Sequence, residues 1–412
     1  MPEPLLSAEL DDLLESPVIM ENPYPIYARL REEAPVCWSE RWQSWIVSRY
    51  GDVDVSLREK ETLSNENRQA LLFNKMEEQE REALARLRYY YAQKDVIGSD
   101  PPDHTRMRAL VTKAFTPKTV ASLESRIRGL ALDMMREASA KGRFDFIQEI
   151  AHPLPVILIA ELLGAPPRDR HLFKRWSAEI LAFQGTGTTD FATASRSQES
   201  LLEMFRYMNA MIEARRVEPR DDLMTTLALS EERGQRFTRD ELLATCNTML
   251  SGGHETTTNL MGNLLHLLLA NPDQWEQVKA EPALIDSAIE EALRYDAPKQ
   301  RNFRRVKKTH VFQGVTFQEN QMVFQLIGAA NHDPDKFPDP ERFDIRRSPN
   351  EHLAFGAGIH FCLGAALARK EARMVLENLL EITPNCRLAE QKIKWQERVQ
   401  FRGPGELWVE SA

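Results

Sequence analysis

The run Phe355-Gly-Ala-Gly-Ile-His360-Phe-Cys362-Leu-Gly364, followed by an Ala-rich helical stretch to Arg369, holds the residue types best suited to chemistry in this chain. Gly356 and Gly358 let the backbone fold tightly and aim its N–H groups inward. Cys362 stands at a helix start, where dipole and amides lower a thiol pKa and stabilise thiolate. That is the environment of an axial ligand: a thiolate on haem iron pushes electron density into the metal and favours O–O cleavage. A glycine turn holding a buried Cys before a helix would look the same in isolation. The presence of Phe355, His360 and Gly364 around it argues for the ligand.

A second unusual stretch is Ser251-Gly-Gly-His254-Glu255-Thr256-Thr-Thr258, inside a segment that otherwise reads as one helix over Arg239–Ala270. A capping box, Thr238-Arg-Asp-Glu241, signals its start and Asn271-Pro272 its stop. About 32 residues at 1.5 Å rise make roughly 48 Å, long enough to cross a molecule of this size. Two glycines, an acid and three β-branched alcohols are poor choices for the middle of a buried helix, each costing up to about 1 kcal/mol against Ala. An acid next to an alcohol can relay protons. Glu291-Ala-Leu-Arg294 pairs opposite charges on one helix turn, and Pro340-Glu-Arg342-Phe343 supplies another Arg before the Cys362 loop. His104 and Arg108, one turn apart in a helix opened by Pro101-Pro102, form a pair of cationic donors suited to a carboxylate.

The elements that must carry these groups are mostly helical. Apolar residues recur at three- and four-residue steps over 123–140, 147–163, 198–216, Arg239–Ala270 and Ile285–Tyr295. Short β patterns occur at Val36-Cys37-Trp38, at Trp45-Ile46-Val47, and over 311–324, where Gln313-Gly314 reads as a turn. No repeat, low-complexity tract or Gly/Ser linker divides the chain.

These residues resemble the haem-binding loop of the cytochrome P-450 monooxygenases, and the resemblance runs from Pro23-Tyr-Pro-Ile-Tyr27 to the C-terminal region. It implies a mainly α cytochrome P-450 fold, a single triangular domain over 1–412 with a small β-rich lobe. Haem b (iron protoporphyrin IX) would lie between the long helix and the Cys362 loop. The resemblance makes Cys362 the proximal ligand of the iron, packs Phe355 beside the sulfur and lets Gly364 admit the helix to the porphyrin. It assigns His104, Arg108, Arg304 and His360 to the propionates, Arg305 leaving that alignment open by one residue. It joins Glu291, Arg294 and Arg342 in one buried structural network, gives Glu255 and Thr256 the handling of protons, and uses Gly253 to make room for a diatomic ligand. His254 receives no catalytic role.

The implied reaction is monooxygenation, hydroxylation or epoxidation of a small, largely apolar organic substrate by O2. Electrons would come from NAD(P)H through a ferredoxin reductase and a ferredoxin. An H2O2-using peroxygenase on the same fold and a non-catalytic haem-thiolate sensor are the alternatives, and the Glu255-Thr256 pair counts against the first. The segment before Asp100 is long for the family and carries an amphipathic pattern over 73–91, so Leu84, Leu87 and Tyr91 are expected to face the substrate as part of a mobile lid or a fixed roof. Gly252, Lys299, Gln300 and Asn302 complete the expected pocket, the last three as anchors for one polar group. The cations Arg106, Lys113, Arg369, Lys370 and Arg373 would form a basic dock for an acidic ferredoxin.

Length and composition set the outer limits. The chain has 412 residues, a formal charge of −9 and 42% hydrophobic residues, all within the globular range. An acidic balance without a basic, aromatic-interleaved stripe argues against nucleic acid as a partner class. Four cysteines without CxxC spacing point to a reducing compartment rather than a disulfide scaffold. No apolar run approaches a membrane span and the N-terminus lacks a basic leader, so a cytoplasmic, unanchored monomer is expected.

Overall fold

The computed structural model describes all residues except 1–5, 15, 68–71, 74, 75, 114, 116–118, 120, 122, 186–189, 231–233 and 412, and the side chains of 184 and 185. They form two compact units. One comprises Met1–Ser64, Glu124–His152 and Thr256–Ala412, the other Asn65–Leu123 and Pro153–Glu255.

The first unit is organised by a five-stranded sheet in the order Val36–Ser39, Ser44–Val47, Met322–Leu326, Arg301–Val306, Leu63–Ser64. Its pairs are antiparallel except Ser44–Val47 with Met322–Leu326. Period-two alternation separates its faces. Trp45, Val47, Val306 and Val323 pack with Val53, Leu57, Phe317 and Ile327 on one side, while Cys37, Ile46 and Leu326 pack with Leu10, Leu14, Tyr24 and Leu30 on the other. The turn expected at Gln313-Gly314 is present, both residues having positive φ (47° and 79°), and joins His310–Phe312 to Val315–Phe317. Met322–Leu326 leaves that hairpin for the main sheet. A three-stranded sheet of Arg143–Asp145, Trp408–Glu410 and Arg387–Leu388 had no clear sequence signal.

The helices of this unit include Glu124–Ser139, Ile285–Tyr295 and Ala365–Ile382. On the last of these, Glu371 is wholly buried, and burial pushes its carboxyl from the usual 4.5 up to about 8. An unfolded carboxyl ionises above about 4.5, so across that window the unfolded chain binds fewer protons than the native one. This group therefore lowers stability as pH rises from about 4.5 to about 8. Glu371→Gln is expected to remove that slope and to melt above wild type at the upper end of the window. Parallel melting curves of the two proteins across it would contradict the assignment.

The second unit is helical: Asp103–Thr112, Pro153–Leu162, Arg170–Gly185, Phe191–Val217 and Leu223–Leu229. Phe191–Val217 begins ahead of the expected 198 because Asp190 caps it, accepting the Thr193 N–H at 2.8 Å. The expected continuous helix over 147–163 is instead a π-helical turn, Ile147–Ala151, and a separate α-helix from Pro153, whose missing N–H suits a first turn and not an interior. The long helix Arg239–Ala270 has the bounds read from the sequence. Thr238 Oγ1 accepts the Glu241 N–H at 3.2 Å and Glu241 Oε2 accepts the Thr238 N–H at 2.8 Å, a complete capping box. Among the described residues no helix is long and apolar enough to cross a membrane.

Candidate functional site

Cys362 lies between Leu353 and the helix Ala365–Ile382. Asn331 Oδ1 accepts the Leu353 N–H at 2.8 Å, and the Gly356 N–H closes a turn on the Leu353 carbonyl at 2.8 Å. Gly356 and Gly358 both have φ of 70°, a region costly for residues with side chains. At Gly358 a Cβ would also stand 3.0 Å from the Arg58 Cα. The loop folds back where the Cys362 N–H donates to the Phe355 carbonyl at 2.9 Å. Gly364 is the N-cap of the following helix, and no protein atom lies within 4 Å of where its Cβ would stand. The thiol is thus carried by a backbone-locked hairpin that opens into a helix N-terminus, where negative charge is favoured.

Cys362 is half-buried, whereas Cys37, Cys246 and Cys386 are buried, and burial pushes each of those three thiols up to about 12. Among the described residues no group of three or more His, Cys, Asp or Glu could hold a metal ion. The half-buried thiol, carried to a helix N-terminus by the glycine hairpin, fits a haem held through a thiolate. His360, half-buried, ends the short turn Gly358–His360 two residues before the thiol.

The helix Ile285–Tyr295 anchors the structure behind this loop. Glu291 and Arg294 are fully buried and paired at 2.8 Å by two parallel hydrogen bonds. Arg294 also donates to the carbonyls of Asn331 (3.0 Å), Pro340 (2.8 Å) and Arg342 (3.2 Å). The expectation for Arg342 requires correction. Its side chain is exposed and only its carbonyl enters the network, because the chain turns there and presents Arg347 instead, whose Nε donates to Glu291 at 3.2 Å. Asn350 Nδ2 (3.1 Å) and the Asp344 N–H (3.0 Å) complete the donors to Glu291. Every oxygen of this buried carboxylate is satisfied, which is the condition for burying it at all.

In the long helix Glu255 is buried and Thr256 half-buried. Thr258 donates its hydroxyl to the Ala151 carbonyl at 3.0 Å. His254 is buried and shares a 2.7 Å hydrogen bond with Ser177, a packing role for the histidine. The glycines divide differently from the expectation. A Cβ on Gly253 would stand 2.7 Å from Ile159 Cδ1, so its missing side chain is taken up by a neighbouring helix, while Gly252 has no protein atom within 4 Å of such a Cβ.

On helix Asp103–Thr112, His104 is buried and Arg108 half-buried one turn later. Burial, and then the Arg108 guanidinium, hold the His104 imidazole below its usual value. An anion lying against both would relieve that depression, which is the chemistry of a carboxylate site. Arg304 is buried on strand Arg301–Val306, while Arg305 donates to Asn320 Oδ1 at 2.9 Å. Strand alternation thus turns Arg304 inward with Asn302 on its face, and Arg305 outward.

Five of the expected pocket residues make contacts within the protein. Leu84 and Leu87 are fully enclosed. Leu84 sits at a break between Glu78–Ala83 and Ala85–Tyr91 and Leu87 in the first turn beyond it, and Gln198 clamps the break by accepting the Leu87 N–H at 3.0 Å and donating to the Ala83 carbonyl at 3.1 Å. Tyr91 is half-buried and stacks on Phe183 at 5.8 Å. Leu84 and Leu87 thus face the packed interior of their unit; residues 74 and 75 of the expected 73–91 helix lie outside the described ones. Leu87→Ala is accordingly expected to cost about 2–5 kcal/mol of stability in chemical denaturation. Gln300 is also structural: it is buried, its Nε2 donates to the Ala297 carbonyl at 2.9 Å, and its Oε1 lies 2.0 Å from where a Cβ on Gly328 would stand. Lys299 is half-buried and bridges to Phe401.

A cytochrome P450 family model matches residues 183–383. Cytochrome P450 107B1 of Saccharopolyspora erythraea is 36% identical over 414 residues, covering 98% of this chain and 99% of that protein. The solved structure of CYP109Q5 from Chondromyces apiculatus matches with a TM-score of 0.86 at 35% identity, over 97% of this chain and 98% of the other. That of CYP109E1 from Bacillus megaterium in complex with testosterone matches with a TM-score of 0.83 at 33% identity, over 95% and 99%. With a likeness that covers nearly the whole of both chains, this chain belongs to the cytochrome P450 family, haem-thiolate monooxygenases that carry haem b.

Proposed function

We propose that this P450 inserts one oxygen atom from O2 into a small, largely apolar organic molecule by hydroxylation or epoxidation, drawing electrons from NAD(P)H through a ferredoxin reductase and a ferredoxin. The observation that carries the reading is the Cys362 hairpin, which brings the one half-buried thiol among four cysteines to a helix N-terminus. Haem b, when bound, supplies the activation of O2 and the transfer of one of its oxygens. The chain's own residues do the rest, and 1–412 works as one haem-thiolate domain, monomeric and cytoplasmic.

Cys362 holds the iron as thiolate, and Phe355 covers the stem of its loop. His104, Arg108, Arg304 and His360 bind the propionates by charge-assisted hydrogen bonds. Glu255 holds a proton source in the middle of the long helix, and the Thr256 hydroxyl passes protons on and orients the water that follows. Glu291 and Arg294, with Arg347, keep the helix behind the loop in place. Asn302, beside Arg304 on one strand face, anchors one polar group of the substrate. An apolar body with one polar handle suits a terpenoid, fatty acid or polyketide, and the testosterone bound by CYP109E1 is likewise a largely apolar molecule.

The test is reconstitution with ferredoxin, reductase and NAD(P)H under isotopically labelled O2. Product carrying the label, with substrate-accelerated NAD(P)H consumption, is expected. Product formed from H2O2 alone would make the protein a peroxygenase, and binding without accelerated consumption a sensor.

The ferredoxin dock is not a basic field. Arg369 pairs with Glu290, Lys370 with Glu124, and Arg373 with both Asp286 and Glu377. Arg106, mostly buried, is held by Glu241 and Asp103; Lys113 is exposed. With four of these five cations matched by anions, long-range steering is weak. Electron-transfer rates are expected to fall by less than about threefold from ~50 to ~500 mM salt, and a steeper fall would restore the basic dock.

A further inference from the structure

The helix Ile285–Tyr295 offers a second acid, Glu290, that the buried Glu291–Arg294 pair does not use. Its carboxylate accepts two hydrogen bonds from Arg369, from Nε at 2.6 Å and Nη2 at 2.8 Å. Arg369 belongs to the helix Ala365–Ile382, one stretch of chain beyond Cys362. Held in this fork, the guanidinium carbon lies 4.4 Å from the centre of the Phe355 ring, directly over its face. A third contact comes from His352, whose side chain is almost fully buried and whose Nε2 lies 3.2 Å from Glu290 Oε2. Its Nδ1 accepts the Ala354 N–H at 3.2 Å, so the ring carries its proton on Nε2 and donates it to Glu290.

These contacts close a ring around the ligand loop. Glu290 grips Arg369 beyond the thiol and His352 before it. Arg369 covers Phe355, and the Phe355 carbonyl accepts the Cys362 N–H at 2.9 Å. A displacement of Phe355 therefore passes directly into the backbone of Cys362. Burial acts to raise the Glu290 carboxyl, but the hydrogen bonds from Arg369 and then His352 win and hold it down at about 2, so the fork is charged across the working pH range.

Resting on the assignment of Cys362 as the haem ligand, we propose that Glu290 is a positioning residue for the thiolate: it keeps the Arg369 guanidinium on the Phe355 ring and thereby fixes the stem of the ligand loop. Without the carboxylate, Arg369, about a third exposed, turns to water. Phe355 then loses its cover, and the loop reaches geometries in which the sulfur takes up a proton.

The test compares wild-type holoprotein with Glu290→Gln, Glu290→Asp, Arg369→Ala and Arg369→Lys, reading the CO complex of the reduced haem and the haem midpoint potential. Glu290→Gln and Arg369→Ala are expected to raise the thiol-type share of the CO complex by about threefold, the size of losing one partly exposed cation–π contact and its ion pair. Both should shift the potential in the same direction, and their effects should not add. Glu290→Asp should recover part of the change. Arg369→Lys keeps the charge but loses the planar cover, so it should behave like Arg369→Ala in the spectrum while preserving stability. Variants that lose thermal stability but keep the wild-type potential and thiolate share would overturn the proposal, since a plain structural ion pair does only that. A wild-type CO complex without the thiolate band would overturn the ligand assignment and this proposal with it.

Discussion

Reduced protein carrying Cys362→Ala and exposed to CO will lack the far-red-shifted Soret band that marks a thiolate ligand, while wild type shows it. The loss is expected to be complete, because no other thiol can substitute. Cys37, Cys246 and Cys386 lie in packed interiors where burial has pushed each thiol up to about 12, and none is followed by a glycine-capped helix. The glycine hairpin itself contains no second sulfur, and the nearest alternative donor, His360, would give a spectrum of a different kind. A thiolate-type band of normal position and strength in Cys362→Ala would remove Cys362 from the role of ligand.

Thr256→Ala will retain haem and bind substrate, yet it will send reducing equivalents into H2O2, with about tenfold less product per NAD(P)H consumed, the lower end of what loss of positioned proton transfer costs. The three consecutive threonines are not equivalent. Thr258 has committed its hydroxyl to the Ala151 carbonyl, Thr257 is buried, and Thr256 is the one left partly accessible next to the buried Glu255. Coupling equal to wild type would place the proton path elsewhere, with Thr257 the first residue to examine.

The difference between legible and illegible parts of this protein follows the range of the interactions. The long helix was readable to the residue because its two stops are local: a capping box at Thr238 and Glu241, and a proline after Asn271. The turn at Gln313-Gly314 was readable for the same reason, since positive φ at both residues is a property of the dipeptide. By contrast, the amphipathic stripe through Leu84, Leu87 and Tyr91 showed that one side would be covered, not by what. Gln198 and the aromatic ring of Phe183 came from more than ninety residues away to cover it.

By itself, the sequence determined the family, the helix-rich class, the glycine hairpin around Cys362 and the Glu291–Arg294 pair, because each is written in residues adjacent along the chain or one helical turn apart. Only the tertiary structure decided which long-range partners complete them. Arg347 rather than the Arg342 side chain reaches Glu291, since a turn between them reverses which one faces the acid. Gly253 accommodates Ile159 from another helix, an approach invisible at the level of a tetrapeptide. Arg369 is matched by Glu290, Lys370 by Glu124 and Arg373 by both Asp286 and Glu377, so a net charge counted along the chain could not reveal the field at the surface. In each case the reason is the same: local signals constrain backbone conformation, whereas charge pairing and close packing depend on side chains that meet only after the chain has folded.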